Sequence, residues 1–260
     1  MKKLLTIAIT LCMFIGLCAC SSKQEEASDD PFADALLTSG KIIVGTSPDY
    51  PPFESLNAQG EVEGFEVDLL NEVLKIFNEQ NGTDCTVELK QMDFSTIISA
   101  LQASQIDIGM SGFTYSPDRD CIFATPHLVS KQVIVTREDT GINGPDDLMG
   151  KKVASGTGTT GAEALAALIG EENVLYPGDY TVMFQSLAAG QLDAVVADEA
   201  VGDNYVTEFG LKKCEKSLVD EEMSFIIKTG NTKLADAFNK AIETFMATSE
   251  YEALKDKYGL

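Results

Sequence analysis

"ALQASQIDIGMSG" (residues 100–112) and "SLAAGQLDAVVAD" (residues 186–198) align without a gap at an offset of 86 residues. Each reads as a helix end, a turn and an apolar strand that begins after Asp107 or Asp193. A second echo, "GKIIVG" (40–45) with "GKKVAS" (150–155), opens each half in the same order. Two echoes in one order predict two lobes of similar architecture.

Within the first half, "KIIVG" (41–45) reads as a strand. "VDLLNEVLKIF" (67–77) carries Val67, Leu70, Leu74 and Phe77 at helical spacing. "CTVELK" (85–90) alternates, "STIISALQA" (95–103) is helical, and "IDIGM" (106–110) is a strand again. Such β-α-β-α order predicts an α/β fold whose sheets are mostly parallel and flanked by helices. In such sheets ligands sit beyond the carboxyl ends of the strands. That rule selects "TSPDYPPF" (46–53), "SGFTYSPDR" (111–119), "GTGTTG" (156–161) and Asp198–Glu199.

"GTGTTG" matches the dinucleotide fingerprint G-x-G-x-x-G, between an apolar strand and an Ala-rich helix, and Asp179 follows at a suitable distance. It thus raises an NAD-dependent oxidoreductase as one reading. The overall balance bears on other classes. The chain has 260 residues, a formal charge of −22 and a pI of about 4.2. Nucleic-acid binding needs a basic stripe and is disfavoured, as is docking of the body on an anionic membrane. His127 is the only histidine, and no zinc spacing is present, so metal catalysis and histidine triads are excluded.

The first residues read as an export signal. "MKK" precedes the fourteen-residue apolar stretch "LLTIAITLCMFIGL", shorter than the about 20 residues a spanning helix needs. "LCAC" (17–20) resembles the bacterial lipobox, with Cys20 as the lipidated (palmitate-bearing) residue after cleavage of 1–19. Residues 20–34 then read as a lipidated N-terminus and acidic tether. Cys85, Cys121 and Cys214 remain, too few and too scattered for a disulfide framework.

Arginine is scarce: Arg119 and Arg137 alone among 19 basic residues. Ser116 and Pro117 suit the start of a helix, where a cation three residues on opposes the helix dipole. A guanidinium beside free helix N–H groups makes a fork for a carboxylate, whereas the plain alternative is a solvated surface arginine. Asp198 ends the apolar strand "DAVVA" and suits either an ammonium ligand or an ordinary helix N-cap. Tyr50, Phe53 and Phe94 can equally be packing residues or a ligand shelf.

Taken in order, "KIIVGTSPDYPPFESLNAQGEVEGFEVDLLNEV", "SGFTYSPDR", "ATPHLVSKQVIVT", "GTTG" and "GQLDAVVADEA" resemble the extracellular solute-binding proteins of polar amino-acid ABC importers, solute-binding family 3. The similarity runs from about residue 36 to "EYEALKDKYG" near the end. It implies a two-lobed, type II periplasmic-binding-protein-like fold: residues 35–130 with 226–260 in one lobe, 131–225 in the other. Two crossing strands, "QVIVT" (132–136) and "MSFIIKT" (223–229), would join them. It implies that Arg119, Thr114 and a backbone N–H near Gly112 clamp the α-carboxylate of a free amino acid. Gly158, Thr159 and Thr160 would add hydroxyl and helix N–H groups to that clamp, and Asp198 would take the α-ammonium.

The candidate ligand set is Ser47, Tyr50, Phe53, Phe94, Ser111, Gly112, Thr114, Arg119, Gly158, Thr159, Thr160 and Asp198. Relatives that bind cationic or amide side chains often carry an acid where this chain has Ser47. With Asp49, Glu54, Phe94 and Gln132 close by in sequence, a polar or basic ligand is the preferred reading. The expected protein is a monomeric, lipid-anchored, extracytoplasmic binding protein that serves an ABC permease and uses no cofactor. On this reading the helix after "GTGTTG" receives a carboxylate, not a dinucleotide. The alternative on the same fold is a periplasmic dehydratase, with Glu163, Glu199 or Asp49 as its acid. A sensor without an importer is a third possibility.

Replacing Cys20 with Ser should release the protein from the membrane fraction or leave its precursor uncleaved. Mass spectrometry of the wild-type N-terminus checks this: acyl chains on Cys20 are the expected result.

Overall fold

The computed structural model describes residues 40–260. The inferred leader, Cys20 and the tether lie outside the described residues. Strand β1 (Lys41–Thr46) is followed by β2 (Asp49–Tyr50), β3 (Glu54–Leu56) and β4 (Val62–Glu63), which form a small antiparallel sheet. Helix α1 (Phe65–Asn81), β5 (Thr86–Gln91), α2 (Phe94–Gln102), β6 (Ile108–Gly109) and β7 (Ile122–Phe123) come next. The long β8 (Leu128–Thr136) leads to β9 (Val153–Ala154), α3 (Thr160–Ile169), β10 (Val174–Leu175) and α4 (Tyr180–Ala188). After them come β11 (Ala194–Asp198), α5 (Glu199–Phe209), β12 (Lys212–Lys213), β13 (Val219–Met223) and β14 (Ile226–Ile227). Helices α6 (Thr232–Met246) and α7 (Ser249–Tyr258) close the chain.

The strands assemble into two larger sheets with one plan. The first has the order β5-β1-β6-β14-β7 and the second β10-β9-β11-β8-β12, with β13 also on β8. In each, three neighbouring strands are parallel and the next runs antiparallel: β14 beside β6, β8 beside β11. Helices α6 and α7 return to pack on α1, where Phe77 meets Phe238 with ring centroids 4.9 Å apart.

The echoed aspartates explain why the two halves rhyme. Asp107 Oδ2 accepts the Ile43 N–H at 2.7 Å, and Asp193 Oδ2 accepts the Lys152 N–H at 2.9 Å. Each staples the start of a central strand to its parallel neighbour, where the ladder has not yet supplied a partner for that N–H. The pairings Val44 with Ile108 and Val153 with Ala194 make Ile43 and Lys152 equivalent. The echo of "GKIIVG" on "GKKVAS" is therefore one residue out of structural register.

The crossing segments also differ from the sequence expectation. "QVIVT" lies along β11, inside the second sheet, and Ile226–Ile227 lies inside the first. The chain passes between sheets through residues 124–131 and returns through 219–225. There β8 and β13 form an antiparallel ribbon from Leu128–Met223 to Gln132–Val219. The physical reason is burial: Val133, Ile134, Val135 and Thr136 are covered as a strand inside a sheet is. The ribbon before it is open on one face, with Val129 76 % exposed.

Asp107→Ala should cost roughly 1–3 kcal/mol, the usual cost of stranding a buried N–H. Asp107→Asn keeps an acceptor for Ile43 and should cost less. Urea denaturation of the two variants measures the difference.

Candidate functional site

A cavity of about 300 Å³ lies between the two sheets, walled by the loops that leave their parallel strands. From the first sheet come the turns after β1, β5 and β6, and from the second those after β9, β10 and β11. This is the arrangement the strand-end rule anticipates. Ser47, Tyr50, Phe94, Ser111, Gly112, Thr114, Arg119, Thr159, Thr160 and Asp198 all line the cavity. Phe53 and Gly158 do not. The Phe53 ring is fully buried behind Tyr50 and against Phe65, with centroids 6.1 and 6.4 Å away, so it is a packing residue.

Arg119 reaches the cavity from a turn, because no helix follows Ser116-Pro117. The expected clash of its charge with a helix dipole does not arise. Its Nη1 donates to the Thr114 carbonyl at 2.6 Å and its Nη2 to the Gly158 carbonyl at 2.8 Å. Those bonds use two of five guanidinium N–H groups. The guanidinium carbon stands 5.7 Å from the Phe94 centroid and 5.4 Å from that of Phe113, and the two rings stack at 4.6 Å. Phe94 thus braces a cation whose described partners are carbonyls and rings.

Opposite it, Asp198 occupies the N-cap position of α5 but makes no capping bond. Its Oδ2 accepts from the Tyr50 hydroxyl at 2.7 Å and its Oδ1 from the Ser130 hydroxyl at 2.6 Å. Burial pushes its carboxyl up to about 7, against the pull of the Ser130 bond. Beside it on β8 sits its register partner Gln132, 2 % exposed, whose Oε1 has no hydrogen-bond partner among the described residues.

Two anticipated donors are already engaged. Gly112, at φ 58°, donates its N–H to Glu66 Oε2 at 2.8 Å, inside the lobe. The Thr159 hydroxyl donates to the Gly156 carbonyl at 2.8 Å and caps its own helix by accepting the Ala162 N–H at 3.1 Å. Thr160 instead meets Thr114 hydroxyl to hydroxyl at 2.9 Å across the cavity. Behind Ser111 and Gly112 lies a buried group that sequence reasoning did not assemble. Glu54 Oε1 accepts from the Ser111 hydroxyl at 2.9 Å, and Glu66 Oε1 pairs with His127 Nε2 at 2.9 Å. Burial and the Glu66 charge push Glu54 well above the usual carboxylate range. Glu54 therefore braces the wall and does not line it.

The "GTGTTG" glycines have local reasons to be there. Gly158 is left-handed at φ 76°. A Cβ on Gly156 would stand 2.9 Å from the Tyr180 ring, and one on Gly161 would stand 2.4 Å from Gln132 Oε1. Close packing and one turn account for the pattern without a pyrophosphate.

Sequence reasoning missed Tyr180, Met183, Asp179 and Asp93, which also line the cavity. Tyr180 accepts the Gly156 N–H through its hydroxyl at 3.2 Å, and its ring lies 4.6 Å from that of Tyr50. The signal was present: "VLYPGDY" is a two-residue strand, a turn and an Asp N-cap, so the strand-end rule reaches it once β10 is recognised. Of the acids considered for a dehydratase, Asp49 lines the cavity. Glu199 is paired with Lys131 and Lys213, and Glu163 accepts from Ser116 at 3.4 Å; neither lines it.

Asp198 has a measurable signature. Between its ordinary value of 3.8 and about 7 the folded state holds a proton that the unfolded state has released. Its contribution to stability therefore falls as pH rises through that window, by up to about 1.4 kcal/mol per pH unit. Asp198→Asn removes this loss, so its melting temperature should gain on the wild type between pH 5 and pH 8. Calorimetry at both pH values reads it.

Residues 42–260 match the model of the bacterial extracellular solute-binding proteins, family 3. The probable histidine-binding protein of Neisseria gonorrhoeae is 30 % identical over 268 residues, covering 99 % of this chain and 96 % of the relative. Among solved structures, the arginine-, lysine-, histidine-binding protein ArtJ of Geobacillus stearothermophilus is 29 % identical with a TM-score of 0.77, covering 84 % of this chain and 94 % of that one. An ancestral arginine-binding protein bound to arginine is 31 % identical, also at 0.77, with 84 % and 98 % covered. These similar proteins are binding proteins and not enzymes, and their fold is the type II periplasmic-binding fold seen here. The chain belongs to the bacterial extracellular solute-binding proteins, family 3.

Proposed function

We propose that this protein captures a free polar L-α-amino acid between its two lobes and delivers it to the permease of an ABC importer. The observation that carries this reading is a cation and a carboxylate on facing walls of one cavity, each held by neutral groups. Arg119 has guanidinium N–H groups to spare for an α-carboxylate, and the first turn of α3 lies beside it. Asp198 offers its carboxylate to an α-ammonium, with its register partner Gln132 lining the cavity beside it. Similarity to histidine- and arginine-binding proteins supports the same class. The lobes divide as 35–130 with 226–260, and 131–225, and close over the ligand as a monomer. Signal cleavage and acylation at Cys20, with residues 21–34 as a tether, would hold the protein at the outer face of the cell membrane.

A cognate amino acid at about 100 times its dissociation constant adds roughly 2.7 kcal/mol to the native state. At about 2–4 °C per kcal/mol, its melting temperature should rise by about 5–10 °C. The decarboxylated amine and the deaminated acid should raise it little, since each leaves one buried charge without its partner. Arg119→Ala should weaken binding by roughly 2–5 kcal/mol, and Lys should rescue it poorly for want of a planar fork. A thermal-shift screen of the common L-amino acids, followed by titration of the variants, tests the reading.

A further inference from the structure

With Arg119 and Asp198 assigned to the ligand's own charges, the rest of the cavity wall is unbalanced. It holds Asp49, Asp93 and Asp179, and no further lysine, arginine or histidine. Asp93 and Asp179 are exposed, and Asp179 Oδ1 caps α4 through the Val182 N–H at 2.8 Å. Asp49 is different. It is half-buried where the lobes meet, and its described partners are neutral donors from both of them. The Ser47 hydroxyl donates to Oδ1 at 2.8 Å from the first lobe, and the Tyr180 N–H donates to Oδ2 at 3.1 Å from the second. Each carboxylate oxygen keeps a second lone pair. The Tyr50 and Tyr180 rings, centroids 4.6 Å apart, line the same cavity.

We infer that Asp49 reads the ligand's side chain and selects one that carries a positive charge, with Ser47 as the residue that orients it. This rests on the amino-acid reading above and specifies the class of amino acid. Position 47 offers only a hydroxyl, but that hydroxyl is spent fixing a carboxylate two residues on. The negative charge is thereby delivered to the cavity from a neighbouring position. Tyr50, Phe94 and Tyr180, which line the same cavity, offer aromatic surface to the stem of a long cationic side chain and to the face of a planar cation. The acids on the rim, Asp93 and Asp179, add to the same potential.

The test compares isosteres that differ in charge: L-arginine against L-citrulline, and L-lysine against L-norleucine, by calorimetric titration. The wild type should prefer each cation by tenfold or more. Asp49→Asn should cost arginine and lysine about tenfold to a hundredfold, while citrulline and norleucine change less than threefold. Ser47→Ala should shift the same ratios in the same direction by a smaller factor. Equal losses for charged and neutral ligands would make Asp49 a lobe-to-lobe contact only, and overturn the inference. So would a wild type that binds amino acids yet does not distinguish arginine from citrulline. If Asp49→Asn fails to fold, the wild-type ratios and Ser47→Ala decide. If no α-amino acid binds at all, the amino-acid reading falls and this inference with it.

Discussion

The antiparallel ribbon of β8 and β13 is the constraint on which the site depends. One end, at Leu128 and Met223, adjoins the first sheet, where the His127 N–H reaches the Met223 carbonyl and Thr114 bridges Met223. The other end runs into the second sheet beside β11. Because the chain enters and leaves through this one ribbon, the carboxyl ends of both parallel triplets open on the same space. Loops from six strands can then contribute to one cavity. The same ribbon supplies Ser130 and Gln132, so the hinge also builds part of the wall.

Electrostatically, the cavity holds its charges in an unfinished state. Arg119 is lodged among carbonyls and rings, and Asp198 among hydroxyls. Each partner is a dipole, strong enough to fix the side chain and too weak to neutralise it. Burial raises the Asp198 carboxyl towards neutrality for this reason. Charged groups left this way cost stability, and on the proposed reading a zwitterionic ligand would complete both at once. Glu54, Glu66 and His127 hold the Ser111–Gly112 corner rigid from behind. The fold therefore spends buried polar groups on shaping the wall as well as on facing the ligand.

Asp49 and Tyr50 show how a short element can matter more than its length suggests. As neighbours on a two-residue strand, their side chains point to different places, and both bond across the cavity to the second lobe. One meets the start of α4 and the other the end of β11. Both bonds join residues of the two lobes at the wall of one cavity.

Much of this was legible in one dimension. Periodicity gave the α/β alternation, and the Asp107 and Asp193 echo marked the two halves, because a backbone staple demands an acid at one fixed place on each strand. Arg119 stood out by scarcity and by a helix start that the structure replaces with a turn, and Asp198 as an acid at the end of an apolar strand. The ordered motifs carried the family. Local pattern could not say which way a given group points. Gly112 and Thr159 sit at the cavity, yet their donors are claimed by Glu66 and by the Gly156 carbonyl. Glu54 and Phe53 lie next to wall residues in sequence and behind them in space. Tyr180 and Asp179 follow a strand of two residues, too short to read from periodicity, and the contact of Asp49 with Tyr180 joins residues 131 positions apart. Strand and helix signals are short-range and survive in sequence. The partner that finally claims each hydrogen bond is chosen by packing, and only the tertiary structure decides it.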